Sequence, residues 1–230
     1  MKLKLVENQN SALLLILPGW GFAPEVFQTY PLAFSLLFPD IPCLTQGELE
    51  ELCSSILAFR DRELFVLGWS LGCITGTKLI ARLHAKTQIK GLILVAPFIR
   101  FSKAMVDKKL RELKEDETKA LQSFFYACFN GQRHALKLFT KLYKRPSIEF
   151  WKGRLAHGLR YLKNETLNDS VLNCTSTLIV TCKNDQIVAK ENALSPPSLS
   201  TVTAKTITSG HAPFFSKEFY EVLSSIKKRS

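Results

Sequence analysis

An α/β fold, with a mostly parallel central sheet flanked by helices, is predicted by three features of the sequence. Short apolar runs of strand length recur along the chain. Segments with apolar residues at helical spacing separate them. One run passes directly into Gly68-Trp69-Ser70-Leu71-Gly72 and then a helical pattern, a sharp strand-to-helix junction.

Leu3 to Val6 is a short strand candidate, and Ala12 to Leu17 is a continuous buried run ended by Pro18-Gly19. Phe34 to Cys43 holds another short strand, broken by Pro39 and Pro42. Leu49, Leu52, Cys53, Ile56 and Leu57 give helical spacing over Glu48 to Arg60. Leu64 to Leu67 forms the strand before the junction, and Ile74, Leu79, Ile80 and Leu83 mark the helix after it. Gly91 to Val95 is again a buried strand, stopped by Pro97. From about Ile99 to Asn168 strand signals vanish and helix signals run on. Leu121, Phe124, Phe125 and Phe129 share one face, and so do Ala135, Leu138, Phe139 and Leu142. The sheet pattern resumes with Thr177 to Thr181 and Val202 to Thr208, and Phe214 to Ile226 closes the chain as an amphipathic helix. The division is an α/β core in two parts, residues 1–98 and 169–230, with a helical cap insertion at 99–168.

Composition narrows the class. No stretch reaches the roughly 18 apolar residues that a membrane span needs, and Ala12 to Leu17 is too short and too late for a signal peptide. A cytoplasmic protein is expected. The six cysteines, Cys43, Cys53, Cys73, Cys128, Cys174 and Cys182, show no C-x-x-C pairing and sit mostly in apolar contexts, so neither zinc nor a disulfide framework is expected. Asn164-Glu165-Thr166 and Asn173-Cys174-Thr175 match a glycosylation pattern that is idle without secretion.

The net charge of +11 calls for an acidic partner: nucleic acid, an anionic membrane surface or an acidic protein. Gly131 to Lys163 supplies most of it, with nine Lys and Arg residues against one acid, Glu149. Arg133, Lys137, Lys141 and Lys144 fall at spacings of four, four and three, on one helix face opposite Leu138, Phe139 and Leu142. Such a stripe is either a solvated face or a surface for a phosphorylated or acidic carrier. No nucleic-acid recognition motif accompanies it.

The chemistry is read from three loops. A serine hydroxyl needs a base to remove its proton, and the base needs a third group to hold its tautomer. In α/β-hydrolases these arrive in the order Ser, acid, His, each after a strand. Ser70 follows one strand, Asp185 a later one, and His211 the last. His84 belongs to the helix after the junction, His134 and His157 to the helical segment, and Asp169 is the reserve acid. The Leu71 N–H at the helix start and the Trp20 N–H, between Gly19 and Gly21, are the candidate oxyanion donors.

Gly19-Trp20-Gly21, Gly68-Trp69-Ser70-Leu71-Gly72 and His211-Ala212-Pro213-Phe214 together resemble the pimeloyl-[acyl-carrier protein] methyl ester esterase family of biotin synthesis, across nearly the whole chain. The resemblance implies an α/β-hydrolase fold with a helical cap. It implies Ser70 as nucleophile, Asp185 as acid, His211 as base, and Trp20 and Leu71 as the oxyanion hole. It implies an acyl channel lined by a cap helix, loosely matched by Phe125 to Phe129, and an acidic acyl carrier protein held by basic cap residues. Arg133, Lys137, Lys141 and Lys144 match that last role in kind. No cofactor or metal is implied, and a monomer is expected. The chain departs from the family in having Pro18 before Gly-Trp-Gly, a shortened loop at Pro39-Asp40-Ile41-Pro42, and Cys73 at a common glycine. The first two are expected to alter the pocket rim. Two other readings stand beside this one: a thioesterase or general short-chain esterase on the same triad, and a non-catalytic binding protein that kept the scaffold.

Overall fold

The computed structural model describes residues 1–9 and 12–226. Seven strands form one sheet: β1 (Leu3–Val6), β2 (Leu13–Leu17), β3 (Ser35–Pro39), β4 (Leu64–Trp69), β5 (Ile89–Val95), β6 (Thr177–Cys182) and β7 (Val202–Ile207), in the order β1-β3-β2-β4-β5-β6-β7. Among the described residues only β1 is antiparallel, pairing with β3 at the edge. The other pairings are parallel, as crossover helices require.

Alternation along the strands gives each face its own core. Leu14, Ile16, Phe65, Leu67, Trp69, Ile93 and Val95 point to one side. Leu13, Leu15, Leu17, Leu64, Val66, Leu92 and Leu94 point to the other. Helices α1 (Gln46–Leu57) and α2 (Leu71–Leu83) bury Leu49, Leu52, Ile56, Leu79, Ile80 and Leu83 on the second face.

Five helices follow β5 before the chain re-enters the sheet: α3 (Lys103–Glu115), α4 (Glu117–Phe129), α5 (Arg133–Leu142), α6 (Lys144–Phe150) and α7 (Leu155–Asn164). They pack on the first face with α8 (Lys217–Ser224). The junction is hydrogen-bonded as well as apolar. The Trp20 indole donates to Leu155 O at 2.8 Å, the Trp151 indole to Phe22 O at 2.9 Å, and the Ala23 N–H to Ser147 Oγ at 3.1 Å. Arg154 of the helical segment pairs with Glu48, whose second carboxylate oxygen accepts from the Leu44 and Thr45 N–H groups ahead of α1. Thr45 and Glu48 also form a reciprocal cap on that helix.

Several bounds differ from the sequence reading. Helix α1 begins two residues earlier, at Gln46, because Thr45 caps it. Strand β5 begins at Ile89 and runs through Gly91, where a Cβ would come within 3.0 Å of the Phe65 ring. Helix α8 begins only at Lys217, since Ala212 and Phe214 are buried in the core as loop residues. The anticipated basic helix is two helices. The chain breaks at Tyr143, so Arg133, Lys137 and Lys141 lie on α5 while Lys144 opens α6. Of the apolar set assigned to the opposite face, only Phe139 is buried, and Leu142 is exposed.

Candidate active site

The turn between β4 and α2 is built around a strained serine. Ser70 has φ 53° and ψ −116°, a conformation that costs a non-glycine residue about 1–3 kcal/mol. Its flanks explain how that strain is sustained. A Cβ at Gly68 would lie 2.5 Å from Gly72 O, and one at Gly72 would lie 2.0 Å from Leu17 O. Glycine at both positions lets the helix start press against β2. The Ser70 N–H donates to Val95 O at 2.9 Å, and the buried Cys73 thiol donates to Gly68 O at 3.1 Å. Cys73 thus braces the turn from within.

Asp185 lies three residues past β6, and His211 four past β7. Asp185 Oδ2 accepts from His211 Nδ1 at 2.7 Å. Its other oxygen accepts from the Ile187 and Val188 N–H groups at 2.7 and 3.0 Å. Burial disfavours the charge on Asp185. The His211 ring and those two N–H groups outweigh it and hold the carboxyl below its ordinary value. With Nδ1–H committed to a carboxylate, Nε2 is the free basic nitrogen. That atom is buried without a hydrogen-bond partner among the described residues, so no hydrogen bond joins it to Ser70. Such bonds commonly tighten only with substrate in place.

Trp69, directly before Ser70, ties the three motif runs together. Its indole N–H donates to His211 O at 2.9 Å, its ring meets Phe214 edge-to-face at 4.5 Å, and a Cβ at Gly19 would lie 2.8 Å from it. The residues that carry the sequence resemblance are one packed cluster.

A pocket of about 480 Å³ opens onto Ser70 and Trp20. Phe101, Met105 and Val106 wall it from the α3 side, Phe124 and Ala127 from α4, and Leu159 and Leu162 from α7, with Lys108, Lys109, Glu112, Ser123, Gln186 and Ile187 completing the lining. Leu71 N–H stands at the first position of α2, where no helical carbonyl reaches it. The Trp20 backbone N–H makes no hydrogen bond among the described residues.

The structure therefore brings Asp185 and His211 together and sets Ser70 in the lining of the pocket with Trp20. Other candidates lie elsewhere. Phe125 and Phe129 do not line the pocket. Both are buried against Phe22 and Phe139, and the α4 residues that face the pocket are Ser123, Phe124 and Ala127. Arg133, Lys137, Lys141 and Lys144 do not line it either. The lysines that do are Lys108 and Lys109, which the sequence reading missed because α3 mixes both signs. Lys109 is paired with Glu112 and donates to Ser123 Oγ, whereas Lys108 has no ion-pair partner among the described residues. Pro18, Pro39 and Pro42 line, with Leu71 and Gly72, a separate cavity of about 10 Å³ that shares no residue with the pocket at Ser70. Asp169 lies exposed on a short 3-10 turn, Asp169–Asn173. His84 and His134 are exposed. Among the described residues, no group of His, Cys, Asp and Glu is arranged to hold a metal ion.

Strand order, strained elbow and the acid and histidine loops define an α/β-hydrolase fold. Solved structures agree: an α/β-hydrolase enzyme from a Medee basin deep-sea metagenome library superimposes with a TM-score of 0.78 at 16% identity, covering 100% of this chain and 94% of that one. The enol-lactonase from Burkholderia xenovorans gives 0.74 at 13%, with 99% and 96% covered. In sequence the chain is similar to the pimeloyl-[acyl-carrier protein] methyl ester esterases of Aliivibrio fischeri, 28% identical over 91% of this chain and 90% of that protein, and Citrobacter koseri, 25% identical over 97% and 96%. No protein-family model matches the chain.

Proposed function

We propose that the protein is a serine carboxylesterase that hydrolyses the methyl ester of pimeloyl-[acyl-carrier protein]. The observation that carries this reading is the strained Ser70 in the lining of an apolar pocket, with the His211–Asp185 pair in the loops where the fold puts a base and its acid. The similarity to two methyl ester esterases across more than 90% of the chain supports the substrate.

The chemistry follows from the residues. Ser70 Oγ attacks the ester carbonyl carbon while His211 Nε2 takes its proton. Asp185 stabilises the imidazolium, and the Trp20 and Leu71 backbone N–H groups donate hydrogen bonds to the negative charge forming on the carbonyl oxygen. Collapse of the tetrahedral adduct expels methanol, protonated by His211. Water, deprotonated by the same nitrogen, then releases the free acid and restores Ser70. No metal or nucleotide enters these steps.

Residues 99–168 act as the cap, and residues 1–98 and 169–230 as the hydrolase core. The apolar walls suit an acyl chain, and Lys108 at their edge suits an anionic group beyond it. Arg133, Lys137 and Lys141 on α5 and Lys144 beside it, without ion-pair partners among the described residues, offer an acidic carrier protein a docking face. Among the described residues no helix is long and apolar enough to cross a membrane. A cytoplasmic monomer is the matching setting.

The test has two arms. Ser70→Ala should lower kcat on the carrier-bound methyl ester by at least about 10³-fold; near-normal turnover sinks the mechanism. The wild-type gene should rescue a biotin-requiring strain that lacks its own methyl esterase. Failure with soluble protein present, and faster cleavage of simple acyl thioesters, would move the assignment to a thioesterase.

A further inference from the structure

The turn that ends α4 reaches both loops that hold the acid and the base. Asn130 follows α4 with φ 20° and ψ 87°, an unusual backbone for a non-glycine residue. Its side-chain amide donates to Asn184 O at 3.0 Å, the carbonyl directly before Asp185. Two residues on, the Gln132 amide donates to Ser209 Oγ at 3.3 Å, two residues before His211. Between these contacts, Cys128 O accepts from the Ala212 N–H at 3.1 Å. The fit is tight, since a Cβ on Gly210 would lie 2.6 Å from Cys128 O. The two loops also bond each other, Asn184 N–H to Ser209 O at 3.0 Å.

We infer that Asn130 and Gln132 are positioning residues for the His211–Asp185 pair, holding the acid and base loops at one separation from the helical segment. This rests on reading Ser70, His211 and Asp185 as the triad. The physical reasons are three. The acid and histidine loops follow the last two strands of the sheet, and β7 is an edge strand with a largely exposed middle, so the sheet fixes their ends but not their tips. An amide that spans from a third element removes that freedom. Ser209 is fully buried, so its hydroxyl has no water to replace the Gln132 contact. The strained backbone at Asn130 is the sort of local cost that persists where surrounding structure demands it.

Three variants test this in the full chain: Asn130→Gly, which keeps the backbone free to adopt its turn and removes the amide; Gln132→Met, which keeps the length; and Asn130→Asp, nearly isosteric but unable to donate to Asn184 O. Two readouts are taken. Steady-state hydrolysis of p-nitrophenyl acetate should show kcat lowered about tenfold in Asn130→Gly with Gln132→Met combined, and KM changed less than twofold. The low-field proton resonance of the His211 Nδ1–H bonded to Asp185 should broaden or move upfield in each variant whose thermal midpoint matches the parent. A resonance unmoved in all three, or kcat within twofold in the combined variant, overturns the inference. If wild-type protein hydrolyses no ester and Ser70 resists a fluorophosphonate, the triad reading has failed, and the resonance alone then decides whether the two amides hold the pair.

Discussion

At Gly72 a single methyl group would have to occupy space 2.0 Å from the Leu17 carbonyl oxygen. Gly72→Ala should therefore yield either insoluble protein or folded protein in which a fluorophosphonate probe labels Ser70 slower by about two orders of magnitude or more. Gly158 is its counterpart in the helical segment: a Cβ there meets Trp151 at 2.5 Å and Trp20 at 2.8 Å. Overpacking of this kind costs about 1–3 kcal/mol, so Gly158→Ala should lower the thermal midpoint by several degrees in a melting scan. Asp185 provides a pH signature. Its folded pKa lies below the ordinary 3.8, so its charge stabilises the fold above that value and the contribution fades as pH falls through the lowered pKa. The parent's urea midpoint should drop more steeply below about pH 4 than that of Asp185→Asn, whose kcat at neutral pH should fall by about 10⁴-fold. The placing of Ser70, Asp185 and His211 is legible in the sequence because each stands in a short loop after a strand candidate. The tie from the Trp69 indole to His211 O is not, because it links residues 142 positions apart and leaves no local pattern.

Helices show where periodicity stops informing. The 3.6 spacing groups Leu121, Phe124, Phe125 and Phe129, but α4 has two apolar neighbours, the core and the pocket. Spacing states which residues share a stripe, not which partner each meets, so Phe125 and Phe129 fall to the core and Phe124 to the pocket. Charge divides between helices in the same way. The one-signed α5 is conspicuous in the sequence, yet the pocket is flanked by the mixed-sign α3. Lys108→Glu should raise KM for the carrier-bound ester about tenfold, the equivalent of about 1.4 kcal/mol, in steady-state kinetics. Reversing Arg133, Lys137 and Lys141 together should raise KM further and flatten its dependence on salt. The joint between Glu48 and Arg154 serves α1 and the helical segment at once. Glu48→Ala, which leaves the Arg154 charge partly buried, should cost about 3 kcal/mol in chemical denaturation.

Over the whole molecule, the alternation of strands and helices made the parallel sheet and its order of layers readable, since only crossover helices join parallel neighbours. The lateral order β3-β2-β4 was not readable, because these three strands are buried on both faces and any would fit beside any other. All six cysteines are free. Burial pushes the Cys43 thiol up to about 12 and raises the Cys73, Cys128 and Cys182 thiols as well. An aromatic disulfide reagent should thus find exposed Cys174 quickly, half-buried Cys53 slowly, and the remaining four only after denaturation. The same enclosure governs light. All three tryptophans are buried with their indole N–H groups bound to carbonyls, but Trp20 alone lines the pocket. One fluorophore therefore changes surroundings when an acyl chain enters and two stay silent. Emission from the Ser70→Ala protein becomes an optical gauge of how tightly an uncut ester is held.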